Sequence, residues 1–137
     1  MGKELAIRIK KVPLYPCRLG ILIEEGYNGM NKFLKSQGAK YYLDFKDYIA
    51  AVLLHGCIKK RGELYDCIYI VFNIEAGELT HGLIAHEVRH ATNGVLNYIG
   101  QKLDAENDEV EAYLAQWVTK QVYKALKKGG YLKCIKL

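Results

Sequence analysis

Three residues within the stretch HGLIAHEVRHATNGV, residues 81–95, have the types and the spacing of a metal site. His86 and His90 are four positions apart, so on a helix both imidazoles project from one face and can hold adjacent corners of a tetrahedral zinc ion. Glu87 lies between them and would lean toward an open coordination position, where it can accept a proton from metal-bound water. The H-E-x-x-H pattern therefore predicts a zinc site with its own general base.

A plain amphipathic helix with satisfied histidines is the alternative interpretation of this stretch. At about 100° per residue, four apolar side chains form one narrow stripe: Ile84, Val88, Ala91 and Val95. The motif residues His86, Glu87 and His90 lie on the other side of the helix. Gly94 lies beside them, although glycine costs about 1 kcal/mol of helix stability relative to alanine. A glycine there leaves room for a substrate or a neighbouring chain, so the pattern favours the metal site.

The next predicted helix begins with a cluster of acidic residues. They are Asp104, Glu106, Asp108, Glu109 and Glu111. Carboxylates in a first helical turn interact favourably with the helix dipole, which explains most of the five. Two histidines, however, leave a catalytic zinc ion short of a third protein ligand, and a following helix packed alongside is a suitable source. We therefore expect one of these carboxylates to bind the metal.

The residues HEVRHATNGV and, further on, NDEVEAYLAQWV together resemble the HExxH…E metallopeptidases called gluzincins, in their minimal single-domain form. The chain is most similar to phage and prophage peptidases with the pattern HE-x-x-H-A followed by D-E-x-x-A-Y-L. The resemblance covers about residues 77–122, a third of the chain. It implies a zincin-like fold, a zinc cofactor and hydrolysis of peptide bonds.

The resemblance also implies a role for each matching residue. His86 and His90 take the positions of the family's metal histidines, and Glu87 takes that of its catalytic glutamate. The third metal ligand falls on Glu109. Many larger gluzincins have an Asp four residues after that ligand, where it orients a metal histidine. This chain has Tyr113 at that position, so the orienting partner stays open.

Neighbouring acidic residues are further candidates around the predicted metal. Glu106 lies near the Glu109 face of the helix and is the reserve candidate for the third ligand. Glu111 points to a different side of the same helix. Asp108 or a backbone carbonyl is a candidate for orienting a metal histidine.

The mechanism implied by the resemblance needs a proton carrier and a donor for the transition state. Glu87 would accept a proton from the attacking water and pass it to the leaving amine. The developing oxyanion needs a further hydrogen-bond donor, for which Tyr113, His81 and His55 are candidates. Each also has a plain structural interpretation: packing for the tyrosine, exposure at a helix start for His81, and a strand end for His55.

The first half of the chain predicts a sheet with one short helix. Alternating or aromatic-rich apolar patterns predict strands over residues 4–12, 17–25, 47–58 and 65–74. A helix is the alternative for 47–58, and the turn at residues 61–63 joins the last two strands into a hairpin. A short helix within residues 26–39 ends at Gly38. We expect the strand CIYIVFNIE, residues 67–75, to be an edge strand that pairs with an extended substrate.

The second half predicts two long helices. Thr80 is a suitable N-cap for a helix that runs to about Ile99 and carries the histidines. A second helix over residues 104–128 ends at Gly129. The predicted fold is therefore α+β: a small, mostly antiparallel sheet with a short helix, followed by two long packed helices in one domain, residues 1–137.

Composition limits the remaining classes of protein. The chain has 137 residues, half of them hydrophobic, and a net charge of +5 whose basic residues are scattered, so nothing favours a nucleic-acid partner. No secretory signal and no apolar stretch of membrane-spanning length are visible, which predicts a cytoplasmic protein. The resemblance to phage and prophage peptidases implies a bacterial or phage-infected cell. The four cysteines are then expected to be buried or half-buried reduced thiols.

Two functions follow from the sequence. The first is a zinc-dependent peptidase that acts on a peptide or protein substrate with Glu87 as general base. The alternative is a zinc-binding regulatory or interaction module with little or no hydrolytic activity, because a domain of 137 residues has little room for a deep specificity cleft.

Overall fold

The computed structural model describes residues 4–41, 43–44, 48–102 and 104–137, which form four strands and three helices. The strands are β1 (Ala6–Lys11), β2 (Arg18–Glu24), β3 (Ala50–Lys60) and β4 (Glu63–Asn73). The helices are α1 (Asn28–Ser36), α2 (His81–Tyr98) and α3 (Glu109–Lys128). The predicted α+β class is confirmed, and residues 50–60 form a strand and not the alternative helix.

The four strands form one sheet in the order β1-β2-β4-β3. β1 with β2 and β3 with β4 are antiparallel, whereas β2 and β4 are parallel. The prediction that residues 67–75 form an edge strand is wrong, because β4 pairs with a strand on each side. Its residues from Cys67 to Asn73 are all buried, and a strand that is apolar toward both faces is stable in the centre of a sheet. β3 is the edge strand beside it.

Helices cover both faces of this sheet. Alternate side chains of β4 point in opposite directions, so Ile68 and Ile70 join the core under α2 and α3. Tyr69 and Val71 join a second, smaller core with Met30 of α1. The sheet is therefore a middle layer, with the two long helices on one face and the short helix on the other.

The β3–β4 hairpin brings the edge strand close to α2. Its turn residues Arg61 and Gly62 have φ of 52° and 80°, as the two-residue hairpin turn requires. Further along β3, the register shifts between Leu53 and Gly56, so that two residues of β3, Leu54 and His55, lie opposite one residue of β4. Such a bulge bends the strand, and here it brings Leu54 against the helix that carries the histidines.

α2 follows the sequence prediction closely. The Leu83 N–H donates to the Thr80 side chain at 3.0 Å, so Thr80 caps the helix as predicted. The predicted apolar stripe is buried: Ile84, Val88, Ala91 and Val95. Gly100 follows the helix with a φ of +75°, a left-handed conformation that suits glycine after a helix end.

α3 begins five residues later than predicted. Residues before it form a turn, in which the Glu106 N–H donates to the Asp104 side chain at 3.0 Å and the Asn107 N–H donates to the Asp104 carbonyl at 3.1 Å. An aspartate that accepts local backbone hydrogen bonds competes with helix formation, which explains the late start. The helix ends at Lys128, just before the predicted Gly129.

The four cysteines are free thiols, two of them buried and two half-buried, as predicted. Within the described ranges, no helix is both long enough and apolar enough to cross a membrane.

Candidate metal centre

His86 and His90 converge on one point in space. Their Nε2 atoms lie 3.1 Å apart, and their rings are 4.7 Å apart at an interplanar angle of 76°. A tetrahedral zinc ion with Zn–N bonds of about 2.0–2.1 Å separates two nitrogen ligands by about 3.3 Å. Both side chains are exposed at the surface of α2. The two imidazoles therefore fit adjacent corners of a zinc site.

Glu87 lies beside the histidines but is only 5% exposed. The side of α2 away from the apolar stripe is therefore open at the two histidines and covered at the glutamate. The first residues of β3 cover this side of the helix, and Glu87 lines a small cavity with Ala50 and Leu83. Burial raises the pKa of its carboxyl group, while the imidazoles of His86 and His90 lower it in part.

A groove with a volume of about 1150 Å³ separates β3 from α2 and contains all three motif residues. Three consecutive residues of β3, Ala50, Ala51 and Val52, line its wall. Neighbouring strand residues point to opposite faces, so three in a row place the edge of the strand on the groove. In the described part of the chain, β3 pairs with β4 alone, which leaves the backbone groups of its other edge to face the groove.

Gly94 keeps the helix and the edge strand close together. A Cβ atom at this position would lie 2.6 Å from Leu54 Cδ2 and 3.4 Å from Ile68 Cδ1. The predicted need for space at Gly94 is real, but the side chain that fills the space belongs to β3 of the same chain. The glycine therefore allows the Leu54 side chain of β3 to lie directly against α2.

The structure brings together two of the three predicted metal ligands. Glu109 is the first residue of α3 and is exposed, as is Glu106 in the preceding turn. Over residues 4–41, 43–44, 48–102 and 104–137, no group of three or more His, Cys, Asp or Glu side chains is arranged to hold a metal ion. The acidic residue that faces α2 is Glu111, which forms an ion pair with Arg89. Glu109 as third ligand stays a prediction.

The predicted transition-state donors lie away from the groove. Tyr113 is 67% exposed on α3, so the interpretation of this tyrosine as a packing residue is wrong. His81 Nδ1 hydrogen bonds with the Tyr123 hydroxyl at 2.6 Å, and His55 is exposed at the bulge of β3. None of the three is among the described residues that line the groove.

Several groove residues were not found from the sequence. Tyr48 lies just before β3 and lines the groove beside His86 and Glu87. Asn93 and Asn97 line it further along α2. The asparagines fall on the histidine face of the helical wheel, so their spacing in the sequence indicates their position. The position of Tyr48 beside the groove depends on how β3 packs against α2.

Comparisons with protein-family models, with curated proteins and with solved structures gave no match. The resemblance to gluzincins therefore rests on the motif residues, and the function has to be argued from the geometry of the groove.

Proposed function

We propose that this protein is a zinc-dependent peptidase that cleaves an extended peptide bound between β3 and α2. One observation carries the proposal: the Nε2 atoms of His86 and His90 lie 3.1 Å apart, beside a buried glutamate, in a groove whose opposite wall is the edge of a strand. A metal donor pair, a proton acceptor and a peptide-binding edge thus lie in one place.

The donor set suits zinc. Neutral imidazole nitrogens are common zinc ligands, and the open groove leaves space for a substrate beside them. We propose Glu109 as the third ligand, because it begins α3 and its side chain can be redirected by a change in one turn. Bound zinc supplies a Lewis acid that polarises a carbonyl group and lowers the pKa of water.

Glu87 acts as the general base in this proposal. Its carboxylate accepts a proton from the water that attacks the peptide carbonyl and then donates it to the leaving amine. Burial raises the pKa of this carboxyl group. A general base works best when its pKa lies near the working pH, so the raised pKa favours proton transfer at neutral pH. The same burial restricts the side chain to a position next to both histidines.

The edge of β3 would position the peptide. An extended peptide can add to an exposed strand edge through main-chain hydrogen bonds, which bind peptides of varied sequence. Ala50, Ala51 and Val52 offer such an edge directly across the groove from the motif. A peptide held there would present one of its carbonyl groups to the histidine end.

Tyr48 is our candidate for the transition-state donor. It is 64% exposed and lines the groove beside His86 and Glu87. A phenolic hydroxyl at this end can donate to the oxygen of an attacked carbonyl. It replaces Tyr113, His81 and His55, which lie outside the lining of the groove.

A second function is favoured by the position of Glu109. Its exposed side chain does not join the two histidines in the described structure. A protein that binds zinc with two histidines and completes the site with a group from another molecule would be an interaction module with little or no hydrolytic activity.

The decisive experiment measures zinc content and peptide hydrolysis together. We expect one zinc ion per chain in the wild type and in Glu87→Gln, and cleavage of a mixed peptide library by the wild type alone. His86→Ala with His90→Ala should lose both zinc and hydrolysis, while Lys124→Ala on the exposed side of α3 should retain both. Zinc without hydrolysis in the wild type would select the interaction module, and absence of zinc binding would refute both functions.

A further inference from the structure

We propose that the groove selects peptides with a carboxylate three or four residues from the cleaved bond, and that Lys102 binds this carboxylate. The inference deepens the peptidase function proposed above and rests on it. It names a substrate class, and the carboxylate is either a free C-terminus or the side chain of Asp or Glu.

One face of α2 forms a continuous polar wall along the groove. His86, His90, Asn93 and Asn97 follow one another at helical spacing, so their side chains lie in a row. All four line the groove, and the helix then ends in the segment of Gly100, Gln101 and Lys102, which closes the far end. A peptide along β3 therefore passes from the histidines over two side-chain amides to a lysine.

The two asparagines can bind a peptide backbone whatever side chains the peptide carries. A side-chain amide offers both a donor and an acceptor, the same pair of functions that a peptide group needs. Asn93 is half-buried, and its Oδ1 atom is buried without a hydrogen-bond partner among the described residues. A buried acceptor without a donor is unfavourable, so the Asn93 side chain gains a hydrogen bond when its amide turns to accept a backbone N–H of a bound peptide.

Charge distinguishes the two ends of the groove. Apart from the histidines, only Glu87 and Lys102 among its described lining residues carry ionisable charge at neutral pH, and they lie at opposite ends. The strand side between them is apolar, with Val52 and Leu54. The middle of the groove thus suits uncharged residues, whereas the far end offers an ammonium group to an anion.

Length sets the position of the carboxylate. The eight residues from His90 to Tyr98 extend the helix by about 12 Å at about 1.5 Å per residue. An extended peptide advances about 3.3 Å per residue, so about four residues cover the same distance. Lys102 follows shortly after this helix end, so the distance corresponds to three or four residues of an extended peptide.

The test uses peptides of one sequence that differ only in the carboxylate. In the first set, a single Glu is compared with Gln at each successive position from the cleaved bond. In the second set, the peptide ends at each of these positions, and a free C-terminus is compared with an amidated one. Hydrolysis by the zinc-loaded wild type should be about fivefold faster with the carboxylate at the third or fourth residue, as expected for a partly exposed ion pair. The two sets show which source of carboxylate the groove prefers.

Substitutions of Lys102 identify the group responsible. Lys102→Ala should remove the preference and Lys102→Glu should reverse it, while the control Lys124→Ala should keep it. Asn93→Ala should raise KM for all peptides alike. A preference that survives in Lys102→Ala, or cleavage with no preference for a carboxylate, would overturn the inference and leave the peptidase function intact.

Binding separates this inference from the proposed function. Fluorescence anisotropy of the same labelled peptides on zinc-loaded Glu87→Gln measures affinity without hydrolysis. One outcome is that the wild type cleaves no peptide, while the carboxylate peptides still bind about fivefold tighter than the neutral ones and lose this advantage in Lys102→Ala. In that case the peptidase function fails and the carboxylate site stands. Equal binding of carboxylate and neutral peptides, or no binding of any, would refute the site.

Discussion

The guanidinium group of Arg89 on α2 donates a hydrogen bond to the carboxylate of Glu111 on α3. Glu111 is therefore the acidic residue that the first turn of α3 presents to α2. Glu109 lies two residues earlier, about 200° around the helix, and points away from α2. Coordination by Glu109, as proposed above, would therefore require the start of α3 to turn; Glu109 is the first residue of that helix, and Leu114 is the first buried one.

Removal of Glu109 should weaken zinc binding. If its carboxylate is the third ligand, Glu109→Ala should lower zinc affinity at least about tenfold. Loss of a residue that only supports a metal ligand typically costs this much, and loss of a ligand itself should cost no less. Competition with a chromophoric chelator measures this affinity. Glu111→Ala is the matched control and should keep zinc affinity while costing less than about 1 kcal/mol of stability, because Arg89 is largely exposed. Unchanged affinity in Glu109→Ala would refute the assignment and direct the search to Glu106→Ala.

Glu87→Gln should stabilise the metal-free protein at neutral pH. Burial raises the pKa of the carboxyl group from its ordinary value of 4.5, so the folded state binds the proton more tightly than the unfolded state. The resulting stability is complete below pH 4.5 and is lost as pH rises through the folded pKa. Glutamine keeps the neutral shape at every pH. Urea unfolding with a chelator present should show a higher free energy of unfolding for the variant at neutral pH and a smaller difference near pH 4.5. A less stable variant at neutral pH would contradict the burial argument.

Tyr48→Phe should lower kcat more than it changes KM. The substitution removes one hydroxyl and keeps the ring, so binding in the groove should change little. Loss of one transition-state donor typically lowers kcat about 100-fold or more. Tyr113→Phe removes the same atom from an exposed residue outside the groove and should leave both constants unchanged. Equal rates for wild type and Tyr48→Phe would exclude Tyr48 as the donor.

Local patterns in the sequence predict helix α2 but not the groove beside it. The i, i+4 spacing of His86 and His90, the apolar stripe of α2 and its Thr80 cap all depend on residues within one helix. The order of strands depends on pairing between distant segments, which alternation alone does not encode. The order of elements along the chain, with residues 67–75 just before the histidine helix, predicts a substrate-binding edge strand. The apolar density of β4 instead reflects a central strand that is buried on both faces.

The burial of Glu87 and the direction of Glu109 required the three-dimensional structure. The helical wheel groups Glu87 with the two histidines, away from the apolar stripe, and only the packing around α2 shows that its side chain is buried. The direction of Glu109 depends on where α3 begins, and helix starts in acidic, turn-forming sequences are set by competing local hydrogen bonds such as those to Asp104. Tertiary packing thus decides both questions.

The buried thiols should react far more slowly than the half-buried ones. Burial raises the pKa of Cys67 to about 12 and also raises that of Cys17, so almost no thiolate is present at about pH 8. Cys134 should therefore be alkylated by iodoacetamide at least about tenfold faster than Cys67, as peptide mapping by mass spectrometry can measure. Unfolding in urea should make the two rates similar. Fast alkylation of Cys67 in the folded protein would contradict its position in the core.

Gly94→Ala should be less favourable in the wild type than in a protein in which Leu54 is shortened. The new Cβ would lie 2.6 Å from Leu54 Cδ2, so Leu54, which is 47% exposed, has to move away from α2. That strain opposes a gain in helix propensity of about 1 kcal/mol. In Leu54→Ala the obstructing atom is absent, and the propensity gain should appear in full. Urea unfolding of the four proteins in this double-mutant cycle measures the coupling between the two positions. Equal effects of Gly94→Ala in both backgrounds would show that Leu54 does not set the spacing of the edge strand from α2.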